Sequence, residues 1–475
     1  MAQTTPSGTT LEAHHVDVID PSHRHGRARD LFPVWFSANL SIGNAFFGAL
    51  AILVGNNLFW AIVAVVLGNI AGAAFMALHS VQGARLGVPQ LIQSRGQFGF
   101  YGALLPIALA AFLYLGFFAT TAVIGGQSLT AAIPALDISV SIVVIAALSL
   151  ALALVGYRAI HSAAKWAAWP LAIAVVIVTI ASLVRGGFDL DVSGFAPGPF
   201  FTAFGLIATF LLTYAPYVSD YSRYLPADTK ASSAFGWTFA GAFLGTTWTE
   251  LVGVMLAVQF DPNDSMASVG DLFGSTPLAA IILVITAIAI GGNNALNLYG
   301  SMLNLITAIT SFRIVGTSVR IRVLMLVPTF VIGLAVALTA SADFSTNVGI
   351  FLSFLLLGFV PWGAINLIDY YWIRRVKYDV AAFFEPRGIY YREPSTWTNY
   401  GINGKAMIAY FVGIAAALPF VNNAGFRGAA APLVGDADLS WIPGLIVTGV
   451  VYLALSARQR VQSHDEPAEK VGSSS

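Results

Sequence analysis

Twelve apolar runs, each near the length needed to cross a bilayer, punctuate this chain of 475 residues. They cover 31–54, 58–80, 100–125, 139–156, 163–184, 200–222, 236–259, 276–306, 322–342, 346–372, 404–422 and 439–457. An α-helix crosses the hydrocarbon with about 20 apolar residues. Composition agrees: 57% of residues are hydrophobic and 10% charged, against about 25% charged in soluble domains. The expected fold is an all-α polytopic membrane protein of about 12 transmembrane helices. Spans eight and ten are too long to be simple and straight, so each should break or tilt.

Charge in the loops orients the spans. With both termini cytoplasmic, all of the 23 basic residues except Arg185 and Arg427 fall on the cytoplasmic side or at its edge. The outer loops carry Asp189, Asp191, Asp261, Asp264, Asp271, Asp343, Asp436 and Asp438 instead. Shifting the count by one span would destroy this positive-inside pattern. The expected location is the plasma (inner) membrane, multi-pass.

Several function classes drop out. There is no cysteine, hence no disulfide, thiol nucleophile or cysteine metal site. Balanced charge, 23 basic against 23 acidic residues, makes no case for nucleic acid. Residues 1–30 are polar and do not read as a signal peptide. Their histidines, His14, His15, His23 and His25, are irregularly spaced and read as a solvated tail rather than a metal site. No GxxxxGK[ST], HExxH or GxSxG occurs, so the chain does not read as an enzyme or an ATP-driven pump. Nor is there a filter-like segment of the kind a channel needs.

The polar residues inside the spans are then the candidates for function. Span eight runs PLAAIILVITAIAI and meets GGNNALNLYG, residues 291–300. Two glycines and Asn293, Asn294 and Asn297 lie at bilayer depth, where an unpaired amide costs several kcal/mol. Such a segment lines a cavity, as a transporter site would, or acts as amide glue between helices. Span one holds Ser37, Asn39, Ser41, Gly43 and Asn44 mid-helix. They allow the helix to unwind and free carbonyls for an ion, or serve close helix packing. In span six, Pro216 removes a backbone hydrogen bond and invites a break. Spans one and six lie five apart, as a five-helix unit repeated with inverted topology would place them. Asp220 and Arg223 pair at the cytoplasmic end of span six, as a gate or a surface bridge.

Glu250 is the acidic residue well inside a span. A buried ionised carboxylate is expensive, so Glu250 either couples to a proton or is bonded by Thr246, Thr247 or Thr249. Asp369 reads as an interfacial ion pair with Arg374 and Arg375. Tyr114 and Phe117, three apart in span three, share a face and either stack a flat ring or fill a core.

These segments resemble the nucleobase–cation symporter-1 family, especially its bacterial purine–cytosine permease branch. The resemblance spans roughly residues 20–458. It is carried by RHGRARDLFPVWFSANLSIGNAFFGALA (24–51), GVPQLIQSRGQFGFYGALLP (87–106), YAPYVSDYSRYLP (214–226), GGNNALNLYG (291–300) and INLIDYYWIRRVKYDVAAFF (365–384). It implies a leucine-transporter-like five-plus-five inverted repeat with two extra helices. The parts are an N-terminal tail (1–30), first repeat (31–184), second repeat (200–372), cytoplasmic loop (373–403), helices 11 and 12 (404–458) and a C-terminal tail (459–475). It implies uptake of a nucleobase such as cytosine or a purine, coupled to a cation by alternating access. A same-fold carrier of hydantoin, allantoin, uracil or a vitamin-like ring is the alternative, and a non-transporting ligand sensor a further one. No cofactor beyond the coupling ion and no obligate protein partner is implied.

By position, Phe117 matches the family's helix-three aromatic and Tyr114 its polar neighbour. Phe210, or Leu211 in another register, matches the helix-six aromatic. Asn297 and Asn293 match the helix-eight amides, and Ser41 a helix-one substrate contact. Relatives often carry tryptophan where this chain has phenylalanine, so stacking should be weaker and the site roomier. Sodium-dependent relatives hold their ion between helix-one carbonyls, here Ser37 and Leu40, and helix-eight hydroxyls. Those hydroxyl positions are Gly291 and Gly292. Two lost oxygens leave a sodium ion or a proton as the coupling ion, with Glu250 as a proton carrier. The loop 373–403 reads as surface.

Overall fold

The computed structural model describes residues 18–274, 276–312 and 319–465. Of the features read from sequence, His14, His15, Arg313 and Lys470 lie outside the described residues. Sixteen helices are α1 (Leu31–Asn39), α2 (Ala45–Leu53), α3 (Leu58–Leu86), α4 (Gln90–Phe98), α5 (Leu104–Ala132), α6 (Ile138–Val155), α7 (Tyr157–Arg185) and α8 (Pro197–Leu212). They continue with α9 (Ala215–Ser222), α10 (Ala231–Gln259), α11 (Ser265–Leu272), α12 (Pro277–Thr310), α13 (Val319–Ala340), α14 (Phe344–Ile368), α15 (Gly404–Ala417) and α16 (Trp441–Asp465). Every expected span has its helix, with spans one and six each made of two.

Local chemistry explains the ends and the breaks. Asn57 caps α3 by accepting from the Trp60 N–H at 3.0 Å, and Asp137 caps α6 by accepting from Ser139 at 2.8 Å. Span one unwinds after Asn39: Ser41 is extended and its hydroxyl accepts from the Gly43 N–H. The two halves meet at 68°. Span six breaks at 213–214, just before Pro216. Pro216 cannot donate to the Leu212 carbonyl four residues back, so α8 ends there.

Packing follows an approximate two-fold exchange. α3 lies on α8 and α9, while α10 lies on α1 and α2; α12 packs on α6, while α5 packs on α13; α5 and α12 pack on each other. Exchanging spans one to five with six to ten maps each contact onto another of the set, as an inverted repeat requires. Glycine lets the backbones touch where α2 crosses α10. A Cβ on Gly48 would overlap the Glu250 carbonyl, and one on Gly253 the Ala45 carbonyl.

The structure decides one open expectation, break or tilt in span eight, and corrects another. α12 is one unbroken helix of 34 residues through Gly291 and Gly292. At 1.5 Å per residue that is about 51 Å, so its length is taken up by tilt or protrusion rather than a break. The glycines serve neighbours: a Cβ on Gly291 would come within 2.8 Å of Leu148 on α6. The loop 373–403 is not merely surface. Ala382, Phe383 and Tyr390 are buried with Leu86, Val88 and Ile92, and residues 398–399 and 402–403 form a small hairpin. The buried helix α4 docks this loop. Arg95 of α4 donates to the Phe383 carbonyl at 2.7 Å and to Ser311 at 3.2 Å, and lies over the Phe100 ring. Burial pulls its guanidinium down to about 10, so Arg95 stays charged at neutral pH.

The expected ion pair at Asp369 is present and buried: Arg374 Nε lies 3.2 Å from Asp369 and its NH2 3.0 Å from Glu393. Basic residues gather at this end. Arg24 donates to the Ala84 carbonyl and Arg85 to the Ala227 carbonyl. The opposite end carries Asp191, Asp436 and Asp438, with Arg427 paired to Asp436.

Candidate functional site

Where the two broken spans meet α5 and α12, a cavity of ≈ 330 Å³ opens. Ser41, Tyr114, Phe117, Phe210, Asn293 and Asn297 all line it. Each of these residues was singled out from the sequence for substrate contact, and each comes from span one, three, six or eight. The register of span six is resolved as well. Phe210 faces the cavity, whereas Leu211 is fully buried and points at Gly72 of α3.

The asparagines divide their work. Asn294 is fully buried and its Nδ2 donates to the Phe118 carbonyl of α5 at 3.0 Å. Asn297 Nδ2 donates to Asn294 Oδ1 at 2.9 Å. Asn294 is thus the strut between α12 and α5, and it fixes the amide of Asn297 at the cavity wall. Asn297 keeps an acceptor and one N–H for a ligand, and Asn293, exposed on the cavity wall, keeps its full amide.

Aromatic rings form the rest of the wall. Phe117 and Phe210 stand edge to face with centroids 6.2 Å apart. They do not form a parallel sandwich, so the pair presents one ring face and one ring edge rather than a slot between two faces. Phe47 packs on Phe210 at 4.5 Å, and Phe351 of α14 on Phe117 at 5.4 Å. Tyr114 sits on Gly300, where a Cβ would come within 2.6 Å of its ring. Sequence reasoning missed Trp35, Phe47, Tyr214 and Tyr217, which also line the cavity. The density of tyrosines in TYAPYVSDYSRY was the signal that could have found two of them.

The wall extends to Val34, Asp220, Tyr221 and Arg223 at the basic end. Asp220 Oδ1 accepts from the Gln90 backbone N–H at 3.0 Å, at the start of α4. The rings of Phe47, Phe117, Phe210 and Phe351 pack into one cluster beside the cavity.

The residues considered for the coupling ion lie elsewhere. Ser37, Leu40, Gly291, Gly292 and Glu250 are not part of the cavity wall. The Ser37 hydroxyl donates to the Pro33 carbonyl at 2.7 Å, and its own carbonyl accepts from Leu40. The Gly291 carbonyl already accepts from Ser149 at 2.9 Å. A Cβ on Gly292 would approach only Ala163 of α7, at 3.9 Å. Glu250 is fully buried between α2, α3 and α10. Its partner is not one of the neighbouring threonines, as considered from sequence, but Asn69 of α3, whose Nδ2 donates to Oε2 at 2.6 Å. Glu250 Oε1 and Asn69 Oδ1 are both buried without a partner. Thr249 donates among the Asn39, Gly245 and Thr246 carbonyls, while the Thr246 and Thr247 hydroxyls are buried without a partner.

Comparison with known proteins shows the family and the fold. Residues 18–444 match the family described as "Permease for cytosine/purines, uracil, thiamine, allantoin". The chain is 35% identical to the "Putative purine-cytosine permease YxlA" of Bacillus subtilis, over 98% of this chain and 99% of that one. It is 23% identical to the purine-cytosine permease fcyB of Emericella nidulans, over 89% of this chain and 83% of that one. Among solved structures, its fold is similar to the inward-facing conformation of Mhp1, with a TM-score of 0.76 at 19% identity over 96% of each chain. It is also similar to Mhp1, "a nucleobase-cation-symport-1 family transporter", in a closed conformation with bromovinylhydantoin bound, with a TM-score of 0.71 at 19% identity over 96% of this chain and 97% of that one. Matched nearly end to end in sequence and in fold, the chain is a polytopic membrane transporter rather than an enzyme, and it belongs to the family of permeases for cytosine/purines, uracil, thiamine and allantoin.

Proposed function

We propose that the chain imports a nucleobase or a closely related flat heterocycle, held in the central cavity and coupled to a proton. The observation that carries the substrate reading is the convergence of Ser41, Tyr114, Phe117, Phe210, Asn293 and Asn297 on one cavity of ≈ 330 Å³. That volume lies at the small end for ligand sites. Phe210 or Phe117 offers a face for stacking. Asn297, held rigid by Asn294, offers one acceptor and one donor to the polar edge of the ring. An analogue that lacks the matching group strands a buried amide, which makes this kind of pairing selective.

With both termini cytoplasmic, the basic end is the inner face. The cavity wall then reaches toward the inner face at Val34, Asp220, Tyr221 and Arg223. Import alternates this state with one in which α8–α9 and α1–α2 close the inner mouth. Ion and substrate couple through that one equilibrium.

For the ion, the residues present do not fit a sodium cage. The two positions that would supply hydroxyls are glycine, and the Gly291 carbonyl is committed to Ser149. Glu250 supports a proton instead. Its carboxyl has one oxygen bound to Asn69 and the other buried without a partner, and the Asn69 oxygen lacks one too. A protonated carboxyl offers a donor that a carboxylate does not, so the two protonation states hold α3 and α10 differently.

The test is melting of the purified protein with cytosine, purines, uracil, hydantoin and allantoin, each with and without sodium at two pH values. A ring at a hundredfold its Kd should stabilise the folded state by about 2.7 kcal/mol. A shift with one ring that acid enhances and sodium does not is expected. If no ring shifts the melting temperature, the cavity is not a heterocycle site. If sodium alone enhances the shift, the proton reading fails.

A further inference from the structure

Away from the cavity, a run of buried polar side chains crosses the basic end. It starts on α9, where the Ser219 hydroxyl is shared between Gln90 Oε1 of α4 and the His79 carbonyl of α3. Gln90 Nε2 donates to Gln82 Oε1 of α3 at 3.1 Å. Gln82 Nε2 donates to Asn366 Oδ1 of α14 at 2.6 Å. Asn366 Nδ2 donates to Gln97 Oε1 of α4 at 3.4 Å, and Gln97 Nε2 to the Tyr378 hydroxyl at 3.0 Å. Tyr378 donates to Asp369 Oδ2 at 2.5 Å. Ser219, the three glutamines and Asn366 are fully buried.

Every link donates in the same sense, away from α9 and toward Asp369. The carboxylate sets that sense. It can only accept, so Tyr378 must donate to it, and each amide behind then presents its oxygen to the next donor. Hydrogen bonds aligned in this way polarise and strengthen one another in a low dielectric. Amides recruited simply as glue between helices would not need a common sense ending on a charge.

The two ends matter for transport. α9 is the half of span six beyond the break at 213–214, and it carries Asp220 and Tyr221 of the cavity mouth. Gln90 grips α9 twice, through Ser219 and through its backbone N–H on Asp220. At the other end Asp369 is tied to Tyr452 of α16 at 2.8 Å and to Arg374, which pairs with Glu393 of the loop 373–403. No substrate contact is involved anywhere along the run.

We propose that Asn366, Gln97 and Tyr378 are positioning residues, through which Asp369 and the loop 373–403 hold α9 in the place that keeps the basic-end mouth open. The inference rests on the transport reading for its meaning but not for its test, which reads the mouth directly and needs no substrate. The chain has no cysteine, so Val34→Cys, at a position 37% exposed on the cavity wall, gives a single reporter. Purified protein in lipid nanodiscs is labelled with a membrane-impermeant maleimide, with and without Asn366→Leu or Tyr378→Phe. Tyr378→Phe keeps the ring against Tyr370 and Phe383 and removes one hydroxyl. Loss of one link shifts the open-to-closed ratio on the order of fivefold, so labelling should slow in both variants while melting changes little. Labelling at the wild-type rate, with or without a lower melting temperature, would show that the run is ordinary helix glue and overturn the proposal. Faster labelling would overturn it too, because the run would then hold the mouth shut. Should Asn366→Leu fail to fold, Tyr378→Phe decides alone.

Discussion

Glu250→Gln is the sharpest single test of how the ion is coupled. In the structure, Asn69 Nδ2 donates to Glu250 Oε2, while Asn69 Oδ1 and Glu250 Oε1 have no partner. Glutamine keeps the shape and the acceptor. A hydrogen bond to a charged group is worth about 1.5–3 kcal/mol and a neutral one about 1. Folded stability should therefore fall by no more than about 2 kcal/mol. Transport should change in kind. A proton moving down a gradient of one pH unit releases about 1.4 kcal/mol, enough for about tenfold accumulation of a co-transported neutral substrate. Proteoliposomes carrying the wild type should approach that ratio with an acidic exterior. Glu250→Gln should still exchange substrate across the membrane but level off at equal concentrations. Tenfold accumulation by the variant would refute the argument, and so would wild-type accumulation that a sodium gradient drives and a pH gradient does not.

Other expectations follow from the same geometry. Asn297→Ala removes the amide aimed at the ligand and leaves Asn294 Oδ1 without its donor, so substrate Kd measured by melting shift should rise about 10–100-fold with the protein still folded. Phe210→Ala removes a stacking face worth about 1–3 kcal/mol per base, and Kd should rise at least about fivefold in the same assay. Gly48→Ala forces a methyl onto the Glu250 carbonyl. The helices α2 and α10 must separate at a cost of about 1–3 kcal/mol, seen as a lower melting temperature that added substrate does not restore to the wild-type value.

Much of this protein was legible in its sequence, because lipid leaves a helix few options. A backbone in hydrocarbon must satisfy its own hydrogen bonds, so apolar length counts the spans, and basic loops gather at one end. Polar residues at bilayer depth stand out against that background, which is why Ser41, Asn293 and Asn297 drew attention, and the family resemblance assigned all three to one site. Pro216 marked its break through a missing N–H alone.

What only the tertiary structure decided is which way each helix faces. In a soluble helix the apolar face marks the core, but here lipid outside and packed side chains inside are both apolar, so the pattern carries little orientation. Sequence therefore left Tyr114 and Phe117 open between core and site, and the register of Phe210 against Leu211 unresolved. The same gap hid the partner of Glu250, since Asn69 lies in span two, five spans before the threonines considered, and only the packing of α3 on α10 brings it to Glu250. Glycines at 291 and 292 read locally as a helix break. The helix persists because its own hydrogen bonds are cheapest kept, and the missing side chains go to α6 and α7 as room for close approach. The loop 373–403 reads as solvated because it is charged, yet Arg374 pairs with Asp369 and Glu393 and Phe383 docks on α4. Burial of a charge depends on its partner's position in space, and that is fixed by the packing of helices far apart in the chain.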